Sequence, residues 1–171
     1  MNINILDCTL RDGGYYCDWH FNNSTVQKYL LAVSAAKVDI VEIGFRFIDQ
    51  KDLLGPFAYS TDDFLSSLSI PVDIDLAVMI NASELIGHCN GINEAVDLLF
   101  SQKNNSPVDI VRIATHKADL ERCQFIANQL QTLGYRVFLN LMQIDSIDTA
   151  ILSDIVKKIK NWGCIEVFYF A

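Results

Sequence analysis

Six short segments rich in β-branched and aromatic residues recur along the 171-residue chain and constrain its fold more than any other feature. They begin at positions 3, 39, 72, 108, 135 and 164, so successive starts are 27 to 36 residues apart. Several are nearly continuous apolar runs, which is typical of strands covered on both faces of a parallel sheet. Each interval has room for a strand, a crossover helix and two loops. The pattern predicts repeated βα units with strands over 3–6, 39–44, 72–79, 108–114, 135–141 and 164–170.

The segments between the predicted strands carry helix signals. Ser24 followed by Gln27 is typical of a capping box and predicts a helix that begins at Ser24. Pro56 interrupts the second crossover, so its helix is predicted to begin near Ser60, and residues 86–91 interrupt the third. Apolar residues at three- and four-residue steps predict two further helices, over 120–130 and 151–162.

Strict alternation of strands and helices leaves two architectures, a closed (β/α)8 barrel or an open doubly wound sheet. No glycine-rich phosphate-binding motif follows any strand, which favours the barrel. Eight units of this length would need about 250 residues, the usual size of such a barrel. We therefore predict an α/β fold with a parallel sheet: a partial TIM barrel of five βα units plus a sixth strand. Residues 1–171 would form a single domain, the N-terminal part of a catalytic barrel whose C-terminal units are absent.

Composition limits the partners of the chain. A formal net charge of -8 disfavours nucleic acid and anionic membrane surfaces as partners. No apolar run approaches the roughly 20 residues that span a bilayer, and the N-terminus lacks a secretory signal, so we expect a cytoplasmic protein with no membrane partner. The five cysteines form no CxxC pair and are expected to be reduced.

Candidate catalytic residues follow the first predicted strand. Arg11 and Asp12 stand side by side there, before a glycine turn. In a βα barrel this is the rim that carries the active site. A carboxylate binds hard divalent cations and a guanidinium stabilises a developing oxyanion, so the pair suits metal-assisted carbonyl chemistry. The alternative, of about equal weight, is an Arg–Asp pair that only fixes a turn.

Three motifs in order give the chain a family resemblance. Residues 9–13 read TLRDG, residues 41–44 read VEIG, and residues 111–116 read VRIATH. Together they resemble segments of the DRE-TIM metallolyases, which include 4-hydroxy-2-oxovalerate aldolase, HMG-CoA lyase and isopropylmalate synthase. The third motif is similar to the fourth-strand segment of the oxovalerate aldolase branch. The resemblance runs along the whole chain and implies a carbon–carbon lyase built on a TIM barrel.

The resemblance also implies roles for individual residues. Asp12 matches the metal-binding aspartate, with Mn²⁺ or Mg²⁺ as the ion, and Arg11 matches the catalytic arginine that steadies an enolate. Glu42 matches an acidic residue of the second strand that orients Arg11 or reaches the substrate; a salt-bridge partner inside the barrel is the alternative. The implied reaction makes or breaks a carbon–carbon bond beside the carbonyl of a 2-oxo acid, with an aldehyde as the second small-molecule substrate.

The chain departs from the family pattern at two points. Tyr15 stands where the aldolase carries a histidine proposed as general base; we predict that Tyr15 binds or protonates substrate, with simple packing as the alternative. The HxH pair that completes the family's metal site is missing, so we expect an incomplete site and little or no catalysis by this chain alone. His116, after the fourth strand, and Asn140, in the fifth, are predicted to bind substrate.

Two other functions stay open. The first is an acyl-CoA condensing enzyme of the same superfamily, since Arg11 and Asp12 would serve both reactions. The second is a non-enzymatic partial barrel that associates with itself or with another chain. The open edges of such a sheet expose unpaired backbone groups and apolar surface, which normally need covering.

Overall fold

One parallel sheet organises the protein. The computed structural model describes residues 3–50 and 53–171. Its six strands lie in the order of the sequence, and every neighbouring pair is parallel. They form a curled half-barrel, which confirms the predicted partial barrel; a doubly wound sheet would reverse its strand order. The strands are β1 (Leu6–Asp7), β2 (Ile40–Phe45), β3 (Asp75–Asn81), β4 (Ile110–Thr115), β5 (Arg136–Leu141) and β6 (Val167–Phe170).

Helices fill the crossovers between the strands. The described residues include none that is long and apolar enough to cross a membrane. A short 3-10 helix, Pro56–Ala58, precedes the helix of the second crossover, and the third crossover is split in two as predicted. The α-helices are α1 (Thr9–Gly13), α2 (Asn23–Ala35), α3 (Asp62–Ser66), α4 (Ala82–Ile86), α5 (Ile92–Leu99), α6 (Leu120–Thr132) and α7 (Thr149–Trp162).

Three predicted strand boundaries are wrong, each for an identifiable reason. The first strand is β1 rather than 3–6, because the N–H of Ile5 donates to the Asp39 carboxylate (2.7 Å) instead of a strand partner. The third is β3 rather than 72–79, since a turn closed by Ile74 N–H and Pro71 O (3.3 Å) precedes it. The sixth is β6 rather than 164–170, because Gly163 ends α7 in a left-handed conformation and pairing starts only at Val167.

The predicted capping box at Ser24 is also wrong. Asn22 caps α2 instead: its side-chain oxygen accepts the N–H of Ser24 at 2.9 Å and the Ser24 hydroxyl at 2.7 Å. Gln27 points away from the helix start and donates its amide to Ser69 O, 3.0 Å away. Thr61 caps α3, close to the predicted start near residue 60.

Two apolar layers cover the two faces of the sheet. The larger one lies between the convex face and the helices. On the concave face a separate cluster of four buried residues, one from each of the four middle strands, is packed against side chains from β1 and β6. Because successive side chains alternate between faces, this cluster is the floor beneath the next inward-pointing layer. Its members are Ile40, Ala77, Ile110 and Phe138.

A buried arginine joins two crossovers to the end of β2. The Arg46 guanidinium donates to Ser60 O (3.0 Å), to Leu99 O (2.7 Å) and to the Asp62 carboxylate (2.5 Å). The same carboxylate accepts the hydroxyl of Ser106 at 2.6 Å. Burial raises the pKa of Asp62, but the Ser106 hydrogen bond and the charge of Arg46 outweigh it, and the net pKa is lowered. Asp62 is therefore a carboxylate whose charge stabilises the folded chain.

We predict that Asp62→Asn destabilises the fold by about 2 kcal/mol at pH 7, because it leaves buried Arg46 without a counter-charge. The lowered pKa of Asp62 means that its contribution is complete above the unfolded value near 4 and is lost as pH falls through the folded value. The difference between wild type and variant should therefore shrink below about pH 4. Urea unfolding at pH 7 and pH 3 measures it. The neighbouring exposed Asp63→Asn is the control, and an equal effect at both positions would contradict the prediction.

Candidate active site at the strand ends

The TLRDG motif forms a helix rather than an extended strand end with a turn. Helix α1 follows β1 after one residue, and the Asp7 carboxylate accepts the N–H of Thr9 at 2.9 Å at its start. The helical turn points neighbouring side chains in different directions. The Arg11 side chain is turned into the protein and is 14% exposed, whereas that of Asp12 is 56% exposed. The two still form an ion pair, Arg11 Nη1 with Asp12 Oδ1.

Glu42 holds two arginines inside the half-barrel. Its side chain is fully buried on β2, where Oε1 accepts Arg11 Nε at 2.6 Å and Oε2 accepts Arg112 Nη1 at 2.7 Å. Glu42 thus orients Arg11 and is also a salt-bridge partner inside the sheet. The three side chains come from α1, β2 and β4, and they lie one layer above the apolar floor.

Arg11 is held as a cation. Burial disfavours its charge, but attraction to Glu42 and the hydrogen bond between them outweigh burial and raise the pKa of Arg11. The guanidinium also lies 5.7 Å from the centre of the Phe45 ring. Nε and Nη1 are engaged by carboxylates, and Nη2 has no hydrogen-bond partner among the described residues, so its donors can meet a ligand oxygen.

Arg112 was not among the predicted site residues. It is 6% exposed on β4, and its guanidinium lies 4.8 Å from the centre of the Tyr169 ring on β6. Its Nε is buried with no hydrogen-bond partner among the described residues. An arginine within an otherwise apolar strand was the available sequence signal, since buried charges are rare unless paired. Asn140, a predicted substrate-binding residue, pairs in register with Tyr169 and is 9% exposed.

Tyr15 and Trp19 form the rim above Arg11. The Trp19 indole donates to Arg11 O at 3.2 Å, and its ring meets that of Tyr15 edge-on with centres 4.8 Å apart. Burial raises the pKa of the Tyr15 hydroxyl, with the Arg11 charge opposing and the Asp12 charge adding to the effect. Tyr15 is thus a neutral phenol at physiological pH. Its ring packs against those of Trp19 and Phe45 and is 60% exposed.

His116 lies apart from this cluster. It is exposed at the end of β4 and, with Met142, lines two adjoining rim cavities of about 340 and 230 Å³. Neither cavity is lined by Arg11 or Asp12. The structure therefore brings together Arg11, Asp12 and Glu42, with Tyr15 above them, and places His116 on the loops that follow β4 and β5.

Of the metal ligands that the family resemblance implies, the described residues contain Asp12 alone. One of its oxygens pairs with Arg11, and the other accepts the Cys8 thiol at 3.2 Å. Burial and the neighbouring Asp12 raise the pKa of the Cys8 thiol. Across residues 3–50 and 53–171, no three histidine, cysteine or acidic side chains are grouped to hold an ion. The described residues do not make a metal site by themselves.

Comparisons with known proteins relate the chain to solved structures. No family model and no curated protein matches it. A crystal structure described as the "N-terminal domain of a putative aldolase", from Bacteroides vulgatus, is similar with a TM-score of 0.81 and 29% sequence identity. The match covers 98% of this chain and 54% of that one, so the chain spans about half the length of its structural relative.

We predict that Glu42→Gln destabilises the fold by about 3–5 kcal/mol, because a neutral amide leaves two buried guanidiniums without a counter-charge. Urea unfolding measures the loss. Glu166→Gln is the control, since Glu166 pairs with Arg136 at a partly exposed position, where ion pairs contribute about 0–1 kcal/mol. Adding Arg112→Met to Glu42→Gln should restore part of the stability. Strictly additive effects of the two substitutions would show that the contact carries no coupling.

Two adjacent glycines provide a second test. Gly13 and Gly14 share helical backbone angles, but a Cβ at Gly14 would lie 2.1 Å from the Trp19 ring, whereas one at Gly13 would make only ordinary contact with Phe21. We expect Gly14→Ala to cost about 1–3 kcal/mol and to shift Trp19 fluorescence. Gly13→Ala should be neutral or slightly stabilising. Similar losses for both would contradict close packing of Trp19 beneath Gly14.

Proposed function

We propose that this chain supplies the N-terminal half of a barrel that makes or breaks a carbon–carbon bond beside a carbonyl, as a lyase of the aldolase type. The observation that carries the proposal is the Arg11 guanidinium, held by buried Glu42 at the end of β1 and paired with Asp12. The likeness to the Bacteroides vulgatus domain supports it. The proposed substrates are a 2-oxo acid and an aldehyde, as in 4-hydroxy-2-oxovalerate aldolase.

In the proposed cleavage, a 4-hydroxy-2-oxo acid loses its hydroxyl proton and its C3–C4 bond breaks. The C4 carbon leaves as an aldehyde, and the electron pair moves onto the 2-oxo group as an enolate. Arg11 is suited to hold this oxyanion, because its Nη2 donors are unused within the described part of the chain and Glu42 fixes its plane. Protonation of C3 then gives the 2-oxo acid. We assign Tyr15, a neutral phenol at the rim, to binding the substrate or to proton donation.

The remaining roles are assigned by position. Asn140 lies on the concave face beside Tyr169 and is proposed to bind the substrate there; His116 is proposed to contact it from the rim. Asp12 is proposed as one ligand of Mn²⁺ or Mg²⁺, whose other ligands would lie outside the described residues. Such an ion would polarise the substrate carbonyl.

Self-association through the sheet edges is a second candidate function. β1 and β6 each have one strand neighbour, and apolar side chains at both edges are exposed: Ile5 is 52% and Phe170 43% exposed. Surfaces of this kind favour pairing with another chain. Sedimentation over a hundredfold concentration range tests for a dimer, and a monomer throughout would argue against it.

Pyruvate release from 4-hydroxy-2-oxopentanoate, with Mn²⁺ or Mg²⁺ present, tests the aldolase proposal in the natural polypeptide that carries this chain. We expect Arg11→Lys and Asp12→Asn to lower kcat/KM by about 100-fold or more, because lysine lacks the planar fork that Glu42 grips and asparagine lacks the charge. Arg122→Lys on exposed α6 should stay within about twofold of wild type. Full activity of Arg11→Lys, or no metal-dependent release by the wild type, would refute the proposal.

A further inference from the structure

A half-open cavity of about 510 Å³ lies beside Arg11. Its walls are apolar or aromatic side chains, and two carboxylates stand among them: the lining residues are Tyr15, Trp19, Phe47, Leu54, Asp49 and Glu84. None of the catalytic roles proposed above, apart from that of Tyr15, uses this cavity. Its volume is within the range of small-molecule sites.

We propose that this cavity is a specificity pocket: it receives the substituent of the aldehyde, accepts an uncharged apolar group as large as a six-membered ring, and rejects anionic ones. The inference rests on the proposed aldol chemistry, because it assigns the cavity to one of the two products of that reaction.

The cavity wall is connected directly to the catalytic arginine. Trp19 donates its indole N–H to the carbonyl of Arg11, and the Arg11 guanidinium lies against Phe45. The Phe45 ring in turn stacks on that of Phe47 with centres 4.6 Å apart. A substrate whose enolate oxygen meets Arg11 therefore has apolar walls beside it for the part that leaves as the aldehyde.

The backbone is built to hold Trp19 in this wall. Asp18 and Trp19 both adopt left-handed conformations, with φ of 49° and 57°, which are uncommon for residues other than glycine. Glycines permit the close approach on both sides: a Cβ at Gly14 would lie 2.1 Å from the Trp19 ring, and one at Gly55 2.2 Å from Trp19 O. Gly14 thus packs against the indole and Gly55 against the backbone of the same residue, so the position of Trp19 in the wall is fixed by the fold.

The charges of the cavity select against anions. The Glu84 carboxylate accepts the Asn81 amide at 2.8 Å and the N–H of Ile48 at 3.2 Å, which are neutral donors. Within the described part of the chain, neither Glu84 nor Asp49 forms an ion pair. Among the described residues that line the cavity, a carboxylate or phosphate on the aldehyde would meet two carboxylates and no cation. An apolar group would pack against the aromatic rings of the cavity without that repulsion.

The test uses the Trp19 indole N–H signal in NMR spectra of the chain, assigned with Trp162→Phe. Four aldehydes serve as probes: acetaldehyde, pentanal, cyclohexanecarbaldehyde and 4-oxobutanoate, which has the size of pentanal but carries a carboxylate. We expect saturable shifts of the Trp19 signal. Cyclohexanecarbaldehyde and pentanal should bind at least about tenfold more tightly than acetaldehyde. The anionic 4-oxobutanoate should bind at least about tenfold more weakly than pentanal.

Matched variants locate the binding. Leu54→Phe narrows the cavity and should weaken the binding of cyclohexanecarbaldehyde about tenfold, while the affinity for acetaldehyde stays unchanged. Leu98→Phe adds the same bulk at an exposed position on α5 and should change neither affinity. Equal affinity for pentanal and 4-oxobutanoate, tighter binding of tetramethylammonium than of any aldehyde, or no response to Leu54→Phe in a chain with a native-like spectrum would overturn the inference.

The same probes separate this inference from the aldolase proposal. The natural polypeptide could release pyruvate equally well from substrates with methyl and cyclohexyl substituents, with neither rate altered by Leu54→Phe. That result would refute the specificity pocket and leave the aldolase proposal intact. Selective binding at Trp19 without any pyruvate release would support a pocket for apolar groups and contradict the aldol function.

Discussion

The buried contact of Glu42 with Arg11 and Arg112 is the interaction on which the rest of the site depends. A carboxylate with no exposure to solvent is costly unless cations compensate it, and here two guanidiniums do so at 2.6 and 2.7 Å. Because the partners come from α1, β2 and β4, the contact also fixes the position of α1 above the sheet. Arg11 can therefore act as an oriented donor only in the folded half-barrel, because the carboxylate that orients it lies 31 residues away in the sequence.

The fold was largely predictable, because the spacing of apolar segments reports directly on the size of a βα unit. Strand order, parallel pairing and the split third crossover all agree with that pattern. Two of the errors arise where a side chain bonds to a backbone group far away in the sequence. Asp39 captures the N–H of Ile5 and shortens the first strand, and Ser69 O takes the amide of Gln27, 42 residues away, which breaks the expected capping box.

The site was predictable only in part. Arg11 and Asp12 are adjacent in sequence and follow a strand, so local pattern was enough to mark them. Arg112 contacts Glu42 across 70 residues, a distance that no spacing rule encodes. Trp19 was missed for a different reason: its left-handed backbone, which brings the indole N–H to the carbonyl of Arg11, is uncommon for an aromatic residue and has no sequence signature.

The charge distribution around Arg11 favours one orientation of a bound substrate. Inside the sheet, two guanidiniums face the one buried carboxylate of Glu42, Arg11 also pairs with half-exposed Asp12, and the Nε of Arg112 has no partner among the described residues. At the rim, the described lining of the aromatic cavity carries two carboxylates, those of Asp49 and Glu84. A substrate with an anionic end and an apolar end would meet complementary surroundings in one orientation and repulsion in the other. The same asymmetry would place the enolate at Arg11 and release the uncharged aldehyde toward the open side.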